Sequence, residues 1–494
     1  MRVPDWVFAL RRLPGLLSLI ARLLVLLVLV APLVCAAPAS ADGGVTWDAP
    51  VLLSESGAMV QDSTITADLA GGVHVFWTHM ARSSEPASLL FYSFLLPGRT
   101  WSVPTDLFAG ADYDTHANPS AVCDGSNRLH LIWTTTQALY YSSALAIGEQ
   151  DPRLWQKPVA VVWADALASA DLVVAPDGMI HVVYSRARED TGVMYVQSSD
   201  HGQNWSTPLP LSTPLPNDRL AADAVTIAID SEETLHVAWH ESHAPDFLAR
   251  QILYARSTDG GRTWPAPQPL SPLAESGVWN ALPNLVIDGE DALRLIWACG
   301  NPVARCYRCS LDHGVTWSSE VTPLFATLIG SSGRDAVAVD SHGDIYWAGS
   351  LRYPQAFYSA VLSDMPTRAR PQVVVSEMEL AGLAWAHFPS MVASGGNQLH
   401  LVLVESDGGP LWYLHGQTES APLEPPGQGT DADATVQPTL TTTATPTPVP
   451  TPVPGPVIGA ASETPGVLRP LTIGLGSAAF FVAVGVVLGS RRRR

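Results

Sequence analysis

The chain has 494 residues and carries 46 acidic against 27 basic side chains, a formal charge of −19. That length accommodates one large domain or several small ones. The negative excess argues against nucleic acid and other polyanions as partners.

At the N-terminus, Arg2, Arg11, Arg12 and Arg22 precede the apolar run LLVLLVLVAPLV at 23–34, and Ala39-Ser40-Ala41 fits a small-residue cleavage site. Residues 1–41 therefore read as a secretory signal peptide, with an uncleaved anchor as the alternative. Lipidation of Cys35 is disfavoured by the bulky Val34 before it. Nine of the basic and five of the acidic residues lie outside 42–420, so the exported part carries 18 basic against 41 acidic groups.

An isolated strand pattern, VTWDAPVLL at 45–53, comes first in the exported part. A repeat follows. One apolar segment recurs as VHVFW, LHLIW, IHVVY, LHVAW, LRLIW, IYWAG and LHLVL, with its second residue at His74, His130, His181, His236, Arg294, Tyr346 and His400. Each copy has an apolar strand before that segment and a Tyr-bearing strand after it, and copies one to five continue into a fourth strand opening on Trp, at Trp101, Trp155, Trp205, Trp264 and Trp317. Four short strands per unit with turn residues between them predict propeller blades. The fold class is all-β: a seven-bladed β-propeller, with six blades as the alternative. The seventh copy has no fourth strand after LWYLHG at 411–416, and VTWDAPVLL resembles RTWPAPQPL at 262–270. The N-terminal strand is expected to complete the last blade, which leaves no open sheet edge.

Three copies share a motif between their third and fourth strands: SSDHGQNW at 198–205, STDGGRTW at 257–264 and SLDHGVTW at 310–317. The glycine suits a tight turn that needs φ > 0, and the carboxylate can accept N–H groups of its own turn. At Ser198, Asp200, Gly202 and Trp205, at Ser257, Asp259, Gly261 and Trp264, and at Ser310, Asp312, Gly314 and Trp317, the sequence resembles the Asp-box (BNR) repeat propellers of the sialidase superfamily. The resemblance implies that the boxes lie on the face opposite the ligand site, and that their aspartates are structural. It also implies where a sialidase would need an Arg-Ile-Pro, and this chain has none. The recurrent histidines read as satisfied groups between blades rather than metal ligands.

Cys123, Cys299, Cys306 and Cys309 remain after signal removal. The stretch CGNPVARCYRC could supply zinc ligands, but in an oxidising compartment a disulfide from Cys299 to Cys306 or Cys309 is the better reading. No metal and no cofactor is expected.

Ligand-facing residues are sought among those the repeat does not explain. Trp163, Trp279 and Trp385 each stand shortly before an inner strand, and Tyr113 has the same place in the second copy; Asp114, His116, Asn280 and His387 are beside them. Aromatic faces with polar neighbours suit sugar rings. Arg186, Arg334 and Arg352 are candidate loop arginines, and Asp62, Asp114, Asp218, Glu241 and Asp335 are candidate carboxylates. No residue is assigned a catalytic role.

Residues 421–468 form a Pro/Thr-rich linker expected to be extended. LTIGLGSAAFFVAVGVVLG at 471–489 has no charged residue, and 469–490 reads as a transmembrane helix; RRRR at 491–494 marks its cytoplasmic end. The expectation is a single-pass, cell-membrane protein whose extracytoplasmic propeller (42–420) binds carbohydrate or an envelope polymer. An exo-sialidase-like glycoside hydrolase and a protein-binding scaffold are the alternatives, and the missing anchor arginine weighs against an enzyme.

Overall fold

The computed structural model describes residues 45–79, 89–108, 117–146, 154–186, 192–212, 219–243, 248–301, 303–318, 322–325, 334–350, 357–362, 373–378, 386–405 and 409–423. These residues form seven antiparallel sheets, six of four strands and one of five, and contain no α-helix. The expected transmembrane segment, the signal segment and the linker from residue 424 onward lie outside the described residues; 421–423, expected as the start of the linker, are described.

Chain order and sheet order coincide in the four-stranded sheets, so each sheet is an up-and-down meander. The innermost strands are Val60–Ala67, Ala117–Cys123, Leu167–Val174, Arg219–Ile229, Trp279–Ile287, Ala336–Val339 and Ala386–Ser394. Each inner strand touches the next, and the last touches the first. The sheets therefore close a ring around a central channel, and the fold is a β-propeller. The sheets are numbered here from one to seven in chain order of those inner strands.

The second strand of each sheet is buried on both faces, as a near-continuous apolar run requires. Trp77, Trp133, Trp239, Trp297 and Trp347 are among the largest fully buried side chains, and all five lie on second strands. The seventh sheet is built from both ends of the chain. Thr46–Trp47 pairs with Gly416 and Gln417, and Val51–Leu52 pairs with Trp412 and Tyr413. Trp47 lies against Gly416, where a Cβ would meet its ring at 2.8 Å. The isolated N-terminal strand thus does what its sequence implied.

A polar latch recurs where neighbouring sheets meet. His74 Nε2 faces Asp68 Oδ2 at 3.2 Å, and its Nδ1 faces the Tyr92 hydroxyl at 2.8 Å. His130 lies between Asp124 and Tyr141 in the same way, and His236 between Asp230 and Tyr254. A carboxylate can only accept, so Nε2 carries the proton and Nδ1 accepts from the tyrosine. Burial holds His236 down at about 4 and lowers His130 as well, so both rings are neutral at pH 7. Where Arg294 replaces histidine, its two Nη atoms reach Tyr307 and Asp288 at 3.0 and 2.8 Å. Where Tyr346 replaces it, its hydroxyl donates directly to Asp340 at 3.0 Å. The recurrent histidines are interface groups, as their sequence setting indicated.

The latched tyrosine then carries the next sheet. Tyr141, Tyr195 and Tyr254 pack against Trp205, Trp264 and Trp317 with ring centroids 5.1–5.4 Å apart. Tyr413 of the seventh sheet meets Trp101 of the first at 4.8 Å, so the same contact crosses the closure. Each of these three tyrosines also fills the space over a motif glycine. A Cβ on Gly261 would lie 1.9 Å from the Tyr195 hydroxyl, at φ +81°. Gly260 beside it has φ +69° but open space around a Cβ. Gly261→Ala should therefore destabilise by about 3 kcal/mol, through left-handed strain and overpacking together. Gly260→Ala, with strain alone, should cost about 1 kcal/mol. Urea unfolding of the two variants checks this, and equal midpoints would refute the tyrosine-over-glycine account.

Candidate functional site

The two ends of the ring differ in chemistry. One end carries the turns between first and second strands and between third and fourth strands; the three repeated motifs are there. Asp259 Oδ1 accepts from Ser257 Oγ at 2.8 Å and from Thr263 N at 2.9 Å, and Oδ2 accepts from Thr263 Oγ1 at 2.6 Å. Ser257 Oγ in turn accepts from Gly261 N at 3.0 Å, and Trp264 Nε1 donates to Gly261 O at 3.2 Å. Asp200 and Asp312 repeat the pattern with Asn204 and Thr316. The Thr263 bonds hold Asp259 down at about 2, and the Asn204 bonds hold Asp200 there too. All of these acceptors serve their own turns, and this arrangement is complete without a ligand.

The other end carries the starts of the inner strands and the hairpins between second and third strands. Here a break in pairing recurs. The register shifts between Val60 and Ser63, Ala117 and Ser120, Leu167 and Ser169, Asp223 and Thr226, Ala281 and Asn284, and His387 and Ser390. Such bulges free backbone groups and re-aim side chains. Asn118, Ala224 and Leu282 within them adopt positive φ. The freed groups bond across to neighbouring sheets around the channel. Asn118 N donates to Asp62 Oδ2 at 3.3 Å and Asn118 Nδ2 to Ala168 O at 3.0 Å. Ser120 Oγ donates to Asp171 Oδ1 at 2.8 Å, and Ile227 N to Asp171 Oδ2 at 3.1 Å. Ser185 Oγ reaches Asp223 at 3.1 Å, Leu282 N reaches His240 Nδ1 at 3.2 Å, and Asn284 Nδ2 reaches Asp335 O at 2.7 Å. This belt links sheets one to six.

Arg334 enters the belt from the start of the sixth sheet. Its Nη2 donates to Val225 O of the fourth sheet at 2.8 Å. Burial pulls its guanidinium below the usual arginine range, and the Asp171 and Asp223 carboxylates oppose that. Burial raises Asp171 despite Arg334, and lowers His240 to about 4. Beside it, Asp335 forms a buried ion pair with Arg305 of the fifth sheet. Two of the sequence candidates, Arg334 and Asp335, therefore join three sheets at the channel.

The rim outside the belt holds the remaining described candidates. Trp163 ends the fourth strand of the second sheet, Val159–Trp163, and is 69% exposed. It stands edge-to-face on Tyr140 at 6.1 Å, and Tyr140 stacks on Trp133. Two residues on, Asp165 pairs with Arg186 of the third sheet: Nη2 meets its carboxylate at 2.5 Å and Nε its carbonyl at 3.1 Å. Trp279 is half-buried as the first residue of an inner strand rather than in a loop before one. Asn280 is buried; its Oδ1 accepts from Trp297 Nε1 at 2.9 Å, and its Nδ2 donates to Arg250 O and Pro272 O. That role is structural and corrects the ligand-facing expectation for Asn280. His387 lies in the inner strand Ala386–Ser394. Tyr113, Asp114, His116, Asp218, Arg352 and Trp385 lie outside the described residues. Glu241 is buried within the second strand of the fourth sheet.

Cys299 is bonded to Cys306 across the hairpin of the fifth sheet, and Cys309 is buried and outside that disulfide. The structure therefore resolves the open pairing in favour of Cys306. Among the described residues no group of three metal-ligating side chains occurs.

Asp165, Asp171, Asp223, His240 and Arg305 were missed from the sequence. Prolines inside strand patterns, at Pro119, Pro283 and Pro389, are a signal that could have found the bulges.

No family model matches the chain, and no curated protein matches it in sequence. Its fold is similar to that of an ulvan lyase of polysaccharide lyase family PL25, solved bound to -[GlcA(1-4)Rha3S]-, at 10% identity over 76% of this chain and 96% of that one, with a TM-score of 0.53. It is similar also to a lectin from Burkholderia pseudomallei, at 13% identity over 76% and 99% of the chains, with a TM-score of 0.53. A leech intramolecular trans-sialidase matches at 12% identity over 75% and 70% of the chains, with a TM-score of 0.45. At these identities the likeness is one of fold.

Burial in the belt raises Asp62 to about 6, and the Asn118 amide only partly offsets this. A folded-state carboxyl pKa above the unfolded value means that the folded protein binds the proton more tightly. The resulting stability is present at low pH and is lost as pH rises from about 4 to about 6. Asp62→Asn should remove that loss. The variant should gain on the order of 2–3 kcal/mol over the parent at pH 7.5 and markedly less at pH 4. Denaturant midpoints at the two pH values measure it, and a variant no more stable than the parent at pH 7.5 would contradict the buried-carboxylate reading.

Proposed function

We propose that the protein is a membrane-tethered, extracytoplasmic, seven-bladed propeller of the Asp-box type that binds a neutral glycan or glycan-like envelope polymer on the end of the ring opposite the boxes. The observation that carries this reading is Trp163. A tryptophan left 69% exposed at the end of a strand gains little for stability, while its ring offers a platform for the C–H face of a sugar. The Asp165–Arg186 pair next to it supplies acceptors and donors at the platform's edge with no net charge. Paired donors and acceptors match hydroxyl groups better than they match a carboxylate. The seven sheets, their closed ring and the three motif turns support the blade count and the Asp-box assignment. Export and anchoring rest on the two terminal apolar segments. The absence of an Arg-Ile-Pro, together with the use of Arg334 in tying sheets together, favours binding over sialoside hydrolysis.

A glycan array on the purified chain, followed by calorimetry on the best neutral oligosaccharide, tests the reading. Trp163→Ala should weaken binding about tenfold, ~1.4 kcal/mol, with the melting temperature unchanged, and Trp163→Phe should keep most of the affinity. Binding indifferent to Trp163→Ala would remove the platform from the site. Release of sialic acid from a fluorogenic sialoside would replace the binding reading with the hydrolase.

A further inference from the structure

The seventh sheet takes its fourth strand from the other end of the chain, so it has no continuous turn between third and fourth strands. In the motif-bearing fifth sheet that turn reaches back to the sheet before it. His313 Nδ1 meets Asp230 Oδ2 of the fourth sheet at 2.7 Å. Asp340 is the counterpart of Asp230 in the sixth sheet. Each stands six residues before the latch residue of its second strand, His236 or Tyr346. The Oδ1 of each accepts two amides of its own turn: Glu232 and Thr234 for Asp230, His342 and Asp344 for Asp340.

The Oδ2 of Asp340 is met by residues that follow the last strand. Thr418 Oγ1 donates to it at 3.2 Å and Ser420 Oγ at 2.5 Å. The register shows what these residues stand in for. Gly416 pairs opposite Leu399 as Ser310 pairs opposite Leu293, so Thr418 occupies the place held by Asp312 in the fifth sheet. Thr418 N donates to Asn397 O at 2.9 Å, as Ala146 N donates to Asn127 O at 2.8 Å after the third strand of the second sheet. The segment then continues along the same end of the ring. Ser341 Oγ donates to Ala421 O at 2.7 Å, and Leu423 N donates to Gly395 O at 2.8 Å. Leu423 occupies the space beside Gly396, where a Cβ would come within 2.7 Å of its Cγ.

We propose that residues 418–423 are a clasp that replaces the missing turn of the seventh sheet and pins it to the Asp340 turn of the sixth. The N-terminal strand completes the seventh sheet by pairing; the clasp fastens that sheet to the sixth through the Asp340 and Ser341 contacts. The folded unit therefore extends past Gln417 to Leu423, and the chain leaves from the motif-bearing end, away from Trp163. Tension applied at the C-terminal side of Leu423 is met first by the Leu423 and Ala421 bonds, then by the Asp340 cluster, and only then by the strand Leu411–Gln417. This inference is independent of the ligand.

Hydrogen exchange on the full chain carrying T418V and S420A tests it. These substitutions remove the two clasp hydroxyls and leave Asp340 with its own turn amides and the Tyr346 hydroxyl. Amides of 340–345 and 411–417 should exchange at least tenfold faster than in the parent, while those of the equivalent turn at 68–72 in the first sheet stay unchanged. Unchanged exchange in both segments would overturn the clasp. Should the double variant fail to fold, the native parent gives the answer with a glutamyl endopeptidase. Glu419 has an exposed side chain, yet the clasp should keep its peptide bond uncut while the unfolded chain is cleaved there. Cleavage of the native chain at Glu419 at the unfolded rate would overturn the proposal equally.

Discussion

The contact on which the ring depends is the tyrosine that each latch holds between two sheets. A buried hydroxyl without a partner is costly, and so is a buried imidazole. The Asp–His–Tyr relay satisfies both, from the Asp124 carboxylate through His130 to Tyr141, and from Asp230 through His236 to Tyr254. With its hydroxyl fixed, the tyrosine ring has one place to be. It becomes the surface on which the next sheet's glycine and tryptophan settle. The motif aspartate shapes the turn that presents that glycine. The local turn and the contact between sheets are therefore one device, repeated around the ring with small variations.

The variations follow the same physical rule. Arg294 keeps both ends of the relay with two nitrogens of one guanidinium. Tyr346 shortens the relay by reaching the aspartate itself. His400 finds Ser394 where an aspartate would stand, and burial drives its ring to about 3. In each case the residue at this position keeps a polar contact with its turn, its tyrosine or both, while the atoms supplying it change; Arg294 does so with its two Nη atoms and leaves Nε without a partner among the described residues. The seventh sheet extends this economy, since the N-terminal strands complete it and the residues after its last strand bond to the Asp340 turn of the sixth.

The channel end is organised by a different constraint. An antiparallel meander leaves little backbone free to bond sideways, and the bulges release it. The belt of Asp62, Asn118, Asp171, Asp223 and Arg334 ties sheets together and fills the centre with charges that belong to the scaffold. The rim is left outside this network, and there Trp163 and the Asp165–Arg186 pair stand clear of the belt.

The all-β class, the spacing of the units, the isolated strand at 45–53 and the turn role of Asp200, Asp259 and Asp312 were legible in the sequence. All rest on local physics: strand alternation, positive φ at glycine, and carboxylates within reach of their own turn. The roles of Asn280, Arg334 and Asp335 were not legible. Whether an arginine faces a ligand or a carbonyl of another sheet depends on residues more than a hundred positions away, as Arg334 and Val225 show. The choice of Cys306 over Cys309 depended on strand register. Tertiary structure alone left Trp163 exposed and half-buried Trp279, two tryptophans that look alike in sequence, because one ends an outer strand and the other begins an inner one.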